Sequence, residues 1–412
     1  MKNTEKTLAA PGMLTLAAGC HQLINWGISF YMPGTFARTI GQDTGWPATQ
    51  IYLGLTLAML MMALLSPFVA RLLARFGGQR IVISGTLAIA AGCAMMATVH
   101  TLPGWLVAWL LTGIGMRLAL YDTLFAALVN LYGQQARRSI SRVTLAGGLA
   151  SALFWPLGAC LLTVMDWRQA LLVYSLLGLL SALLLWRMPN SKRPAVIPHK
   201  ERLPTPLRHR RVGLLYAALI ALVTFVSNGT STHLPEFIAH YGLPVAAGML
   251  WGIGQTGARF LEVASGSALT PLRLTLLTTL LMPVCFSVGL SSPYILWAAG
   301  GFVLGYGAIN GLTTVFKATL PLELFAAEDY ARQTGILLIP AQLLAAASPF
   351  AYAWLNHQFG IQGSLGISAA LTLVVAGLAL AIARNQTYRA PDMTPEIIDF
   401  QAPQRSSERP LR

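Results

Sequence analysis

The sequence predicts an all-α membrane protein with twelve transmembrane helices, arranged as two pseudo-symmetric six-helix bundles. Three observations carry this reading. Of 412 residues, 55% are hydrophobic and only 10% are charged, against roughly a quarter charged in soluble domains. Apolar runs of about 20 residues recur along the whole chain, each long enough to cross a hydrocarbon core as a helix. No run alternates apolar and polar over about ten residues, as the strands of a membrane barrel do.

In order, the spans are 12–35, 49–70, 81–99, 104–131, 143–165 and 169–187, then 212–238, 244–264, 272–291, 293–319, 334–355 and 364–384. The first is no cleaved signal: it is too long, holds His21, Gln22 and Asn25, and lacks a small-residue cleavage site after it. Between the sixth and seventh lies "RMPNSKRPAVIPHKERLPTPLRHRR", the only long polar, basic, proline-rich segment in the interior. It reads as a cytoplasmic linker. The expected division is an N-terminal bundle at 1–188, the linker at 189–211, a C-terminal bundle at 212–385 and a disordered cytoplasmic tail at 386–412.

The net charge is +14, and its placement identifies its partner. With both termini cytoplasmic, Lys2, Lys6, Arg71, Arg75, Arg80, Arg137, Arg138, Arg142, the linker cations, Arg273, Arg332 and the C-terminal arginines share one side. Only Arg38 and Arg168 take the other. This is the positive-inside distribution, so the excess meets anionic lipid and not nucleic acid. A multi-pass protein of a bacterial inner, or plasma, membrane is expected, acting as a monomer. The four cysteines all fall inside spans, without metal-ligand spacing, and read as packing residues. There is no Walker loop, zinc-spaced His/Cys set or nucleophile elbow, so no enzyme activity, cofactor or metal is expected.

The two halves echo each other. Gly27 and Pro33 in "NWGISFYMPGTF" match Gly229 and Pro235 in "SNGTSTHLPEFI". Gly113 and Gly115 match Gly305 and Gly307, and Pro156 matches Pro349. Parallel six-span repeats are a feature of one large class of secondary transporter. Ionisable and amide groups gather in spans 1, 4, 7, 8 and 10. A charge facing lipid at mid-depth costs at least about 2.5 kcal/mol, so those faces are expected to meet protein or a water-filled cavity.

At these residues the chain resembles a major facilitator superfamily transporter over nearly its whole length. The loop "ARLLARFGGQR" after span 2 is similar to the family's Gly-x-Leu-Ala-Asp-Arg-x-Gly-Arg-Arg signature. Leu72, Arg75 and Gly77 fit it; Ala70 and Ala74 replace the first glycine and the aspartate. In the family, spans 1, 4, 7 and 10 line the central cavity. The segments "NWGISFYMPGTF", "GQTGARFLE" and "DWRQALLVYSLL" look most like the bacterial branch near the monocarboxylate porters and efflux permeases. In span 5, "SALFWPLGAC" keeps Pro156, but Trp155 stands where drug antiporters carry a glycine.

Candidate roles follow. Arg117, near mid-membrane, has the planar fork that grips a carboxylate; it is the first candidate for a substrate anion, and Arg259 is the second. A structural ion pair is the alternative for each, with Glu262 the neighbour of Arg259. Asp122 is five residues past Arg117, about 140° around a continuous helix, so Tyr121 and not Asp122 lies beside that arginine. Asp122 is the preferred proton carrier and Glu262 the next. His21, Asn25, Tyr121 and Asn310 are candidates to orient the substrate. His233 and Glu236, flanking Pro235, read as interfacial or gating. The expected function is alternating-access transport of a small anionic solute, with protons as the coupling ion. The competing reading is proton-antiport efflux of a lipophilic or cationic compound, with Trp26, Phe30, Tyr31, Trp251 and Tyr306 as an aromatic wall.

Overall fold

A computed structural model describes residues 11–132, 136–190, 207–265, 269–295, 297–324 and 337–387. Its ordered elements are helices, with no strand among the described residues. In chain order they are α1 (Pro11–Ile28), α2 (Met32–Thr44), α3 (Ala48–Phe76), α4 (Gly78–Thr98), α5 (Leu102–Ala119), α6 (Tyr121–Tyr132), α7 (Ala136–Gly148), α8 (Ala150–Val164), α9 (Trp167–Leu184), α10 (Leu207–His240), α11 (Gly248–Ala264), α12 (Pro271–Leu290), α13 (Ala298–Leu324) and α14 (Ile339–Thr387). Among the described residues, eight segments are long and apolar enough to cross a membrane on length and composition. The outer surface agrees: Leu16, Leu64, Val164, Phe260 and Leu261 are largely exposed, which suits lipid and not water. Trp186, Tyr294 and Trp297 are exposed beside helix ends, where amphipathic rings sit at headgroup level.

Three expected spans are interrupted. The first becomes α1 and α2, because Pro33 cannot donate and its ring clashes with the carbonyl four residues back. The chain turns there, with Tyr31 N donating to Trp26 O at 3.1 Å. The matching Pro235 lies inside an unbroken α10. The fourth span breaks at Leu120, whose ψ of −175° is extended; Thr123 Oγ1 then donates to the carbonyl of Arg117 at 2.6 Å. The fifth breaks at Leu149, between α7 and α8. Conversely, the last two spans run as one element, α14, bent at Gly360, where φ is 67°. The expected linker lies mostly outside the described residues, though α10 already begins within it. The expected tail lies almost wholly outside them.

The two largest apolar cores come from separate parts of the sequence. One gathers residues between Ile28 and Tyr174, joined by Ala353; the other gathers residues between Val212 and Ile382, joined by Trp155. The repeat is visible in the packing. At Gly27 a Cβ would lie 2.1 Å from the Phe154 ring, and at Gly229 a Cβ would lie 2.1 Å from the Tyr352 ring. Each glycine thus admits an aromatic ring near the matched prolines Pro156 and Pro349.

Candidate functional site

The interface between the two cores has two unlike ends. The start of α1 and the end of α9 lie together on one side, in a cluster containing Leu14, Val82, Leu124, Leu185 and Met188. This is the terminal side. On the far side a cavity of about 570 Å³ opens between α2, the start of α3, α8 and the end of α10. Arg38, Trp46, Tyr52, Trp155 and Glu236 are among its lining residues.

From the cavity wall a column of rings leads inward. Trp155 meets Tyr31 with centroids 5.5 Å apart, Tyr31 meets Trp26 at 6.4 Å, and Trp26 meets Tyr121 at 5.2 Å. Tyr121 Oη donates to Thr144 O at 3.4 Å. Arg259 reaches the same carbonyl from the other core, Nη1 to Thr144 O at 3.3 Å. It also donates to Gly311 O at 3.4 Å and to Thr314 Oγ1 at 2.8 Å. The amide of Gln255, oriented by its partners, donates to Gly148 O at 2.9 Å and accepts from Arg259 Nη2 at 3.2 Å. The irregular turn between α7 and α8 brings Gly148 close enough that a Cβ there would lie 2.9 Å from Arg259 Nη1.

Arg259 is therefore a buried cation, 8% exposed, held by neutral groups. No carboxylate is paired with it among the described residues, and the intrahelical pair with Glu262 is not formed. Two indole donors on the column, Trp26 Nε1 and Trp155 Nε1, are buried without a hydrogen-bond partner.

Arg117 is placed differently from the helical-wheel expectation. Its Nη1 lies 2.9 Å from Asp122 Oδ2. The 140° separation assumed a continuous helix, and the break at Leu120 removes it. The pair also suits the two helix ends: Arg117 is in the last turn of α5 and Asp122 in the first turn of α6, each the favoured sign for its dipole. The arginine side chain is 14% exposed and the aspartate 74%.

His21 and Asn25 lie away from the cavity. Both are fully buried. His21 Nε2 is 2.7 Å from Thr86 Oγ1 of α4, and Asn25 Nδ2 donates to Ser181 Oγ of α9 at 3.0 Å. These contacts join helices within one core. Asn310 is half-buried on α13, next to Gly311, and Glu262 is half-buried near the end of α11. Of the signature loop, Leu72 is half-buried, Arg75 is exposed and stacks 5.1 Å from the Phe76 ring, and Gly77 has φ of 86°. The loop docks on the end of α9, with Gln79 Nε2 donating to Leu185 O and Asn190 Nδ2 to Phe76 O. Sequence reasoning set Gln255 with Arg259 among the polar groups facing protein or a cavity, but missed Thr144, Gly148 and Thr314 around that arginine. The departure at Trp155 was a signal for the column; backbone carbonyls leave none.

The sequence profile of the Major Facilitator Superfamily matches residues 14–316. The chain belongs to this superfamily. Its members' fold is shared by solved transporters. A bacterial homologue of the human lysosomal transporter Spinster, inward-facing and unoccupied, superposes with a TM-score of 0.67 at 13% identity, covering 92% of this chain and 98% of that one. A mutant of the nucleoside transporter NupG gives 0.69 at 11% identity, covering 90% and 99%. At such identities the likeness shows the fold alone. No curated protein matches the sequence. The superfamily and these neighbours point to a multi-pass membrane transporter for a small molecule rather than to an enzyme.

Proposed function

We propose that this superfamily member is a proton-coupled secondary transporter of a small carboxylate-bearing anion. It acts as a monomer in a bacterial inner membrane, both termini cytoplasmic, by alternating access between two six-span bundles. The observation that carries the reading is Arg259, a buried guanidinium between the cores with only neutral partners. Removing an ion from water costs several kcal/mol, and a carboxylate delivered to that fork would offset much of this through bidentate, charge-assisted hydrogen bonds. The unpartnered indole donors of Trp26 and Trp155 belong to the ring column that runs from the cavity wall toward Tyr121 and can serve the same anion.

Arg259 thereby takes the first place among substrate contacts, with Tyr121 beside it. Arg117 is already matched by Asp122, so its role is to hold the two parts of the broken span together. The aromatic efflux wall loses two members: Trp251 and Tyr306 are fully buried in the C-terminal core. The test is ligand-induced thermal stabilisation of the purified protein, with Arg259→Met and Arg117→Ala alongside. The panel holds monocarboxylates, dicarboxylates, phosphorylated acids and lipophilic cations. A ligand that binds the folded state raises its stability. The expected result is a carboxylate that stabilises wild type and Arg117→Ala but not Arg259→Met. Stabilisation by cations alone, equal in all three proteins, would replace this reading with efflux.

A further inference from the structure

On the far side, His233 of α10 stands between two hydrogen-bond acceptors. Its Nε2 is 2.9 Å from the carbonyl of Pro349 on α14, and its Nδ1 is 3.1 Å from Glu236 Oε2. A carbonyl can only accept, so Nε2 carries a hydrogen. A neutral imidazole would then turn the lone pair of Nδ1 toward a carboxylate oxygen. The arrangement closes only with one further proton between Nδ1 and Oε2.

The surroundings suit that charge. The ring is 5% exposed and lies against Tyr52 of α3, centroids 4.1 Å apart, with Tyr352 of α14 at 6.3 Å. Aromatic faces attract a cation. Glu236 also accepts from Asn356 Nδ2 of α14 at 3.2 Å. Arg38 of α2 acts on it electrostatically. Glu236 and Arg38 both line the cavity, so a proton has an aqueous route to the pair.

We propose that His233 and Glu236 form a proton-binding site, loaded from the far-side cavity, whose proton fastens α10 to α14. The proton comes from cavity water and sits between Nδ1 and Oε2; its release returns it there. After its loss one ring hydrogen is left for two acceptors; drawn to Nδ1 by the carboxylate, it leaves the Nε2 lone pair facing the Pro349 carbonyl, and the α10–α14 link is lost. That this proton drives solute movement rests on the transport reading; the site itself does not.

The test needs no solute. The full chain, with 15N in its seven histidines, is placed in lipid nanodiscs and its ring nitrogens are followed by NMR as pH is raised. His233→Gln assigns the signal, and Glu236→Gln serves where that variant does not fold. The expected result is a His233 ring protonated at both nitrogens that loses one proton on alkalinisation. In Glu236→Gln, whose amide can donate to Nδ1, the ring carries one proton throughout. A wild-type ring with a single proton at every pH would overturn the proposal, whether or not the protein transports anything.

Discussion

Arg259, Arg117 and Asp43 sit in three electrostatic settings, and their substitutions separate accordingly. Arginine keeps its charge in proteins, so Arg259 bears a desolvation cost that a methionine of similar length does not. Arg259→Met is expected to raise thermal stability, by about 1 kcal/mol, while abolishing the response to anions; a melting curve with and without ligand reads both. Arg117 and Asp122 are paired at 2.9 Å, but the aspartate is 74% exposed. A double-mutant cycle of Arg117→Ala and Asp122→Ala is expected to give a coupling below about 1 kcal/mol. Asp43, at the far-side end of α2, accepts from Arg168 Nη1 at 2.5 Å and from Trp167 Nε1 at 3.0 Å. The Arg168 hydrogen bond, then that of Trp167, holds its carboxyl below the usual range. Its stabilisation is therefore present above the unfolded-state value and lost as pH falls through the folded one. Asp43→Asn is expected to flatten the acid limb of a melting-temperature profile.

The elements show what the sequence could reveal. Apolar runs and prolines located the helices, and Pro33 accounts for the first break. The break at Leu120 has no proline or glycine at its site, so wheel geometry separated Arg117 from Asp122 where the chain unites them. His21 and Asn25 shared a helix face, as expected, but periodicity does not say which neighbour that face meets. The meeting is with Thr86 and Ser181. The matched glycines were legible as a repeat, and their rings give it a physical reason. Gly229→Ala is expected to destabilise by about 1–3 kcal/mol, because a Cβ overlaps the Tyr352 ring. Gly257→Ala, with nothing within 4 Å of the new carbon, is expected to stabilise by up to about 1 kcal/mol through helix propensity. Parallel thermal unfolding in one detergent compares them.

For the whole molecule, the asymmetry of the interface matters most. The far side holds an open cavity, while Arg259 and Gln255 tie α11 to α7 toward the terminal side. Under the proposed alternating access those ties have to be released to open the other way, and the proposed anion would compete for the same guanidinium hydrogens. The all-helical, membrane-spanning character was readable from the sequence at this scale; the closed layer was not, because it is built on the carbonyls of Thr144, Gly148 and Gly311. The most direct measurement is uptake of the radiolabelled carboxylate that best stabilises the protein, in proteoliposomes with an acidic exterior. The expected result is accumulation above the external concentration, collapsed by a protonophore and absent in Arg259→Met. Uptake that persists undiminished in Arg259→Met would contradict it.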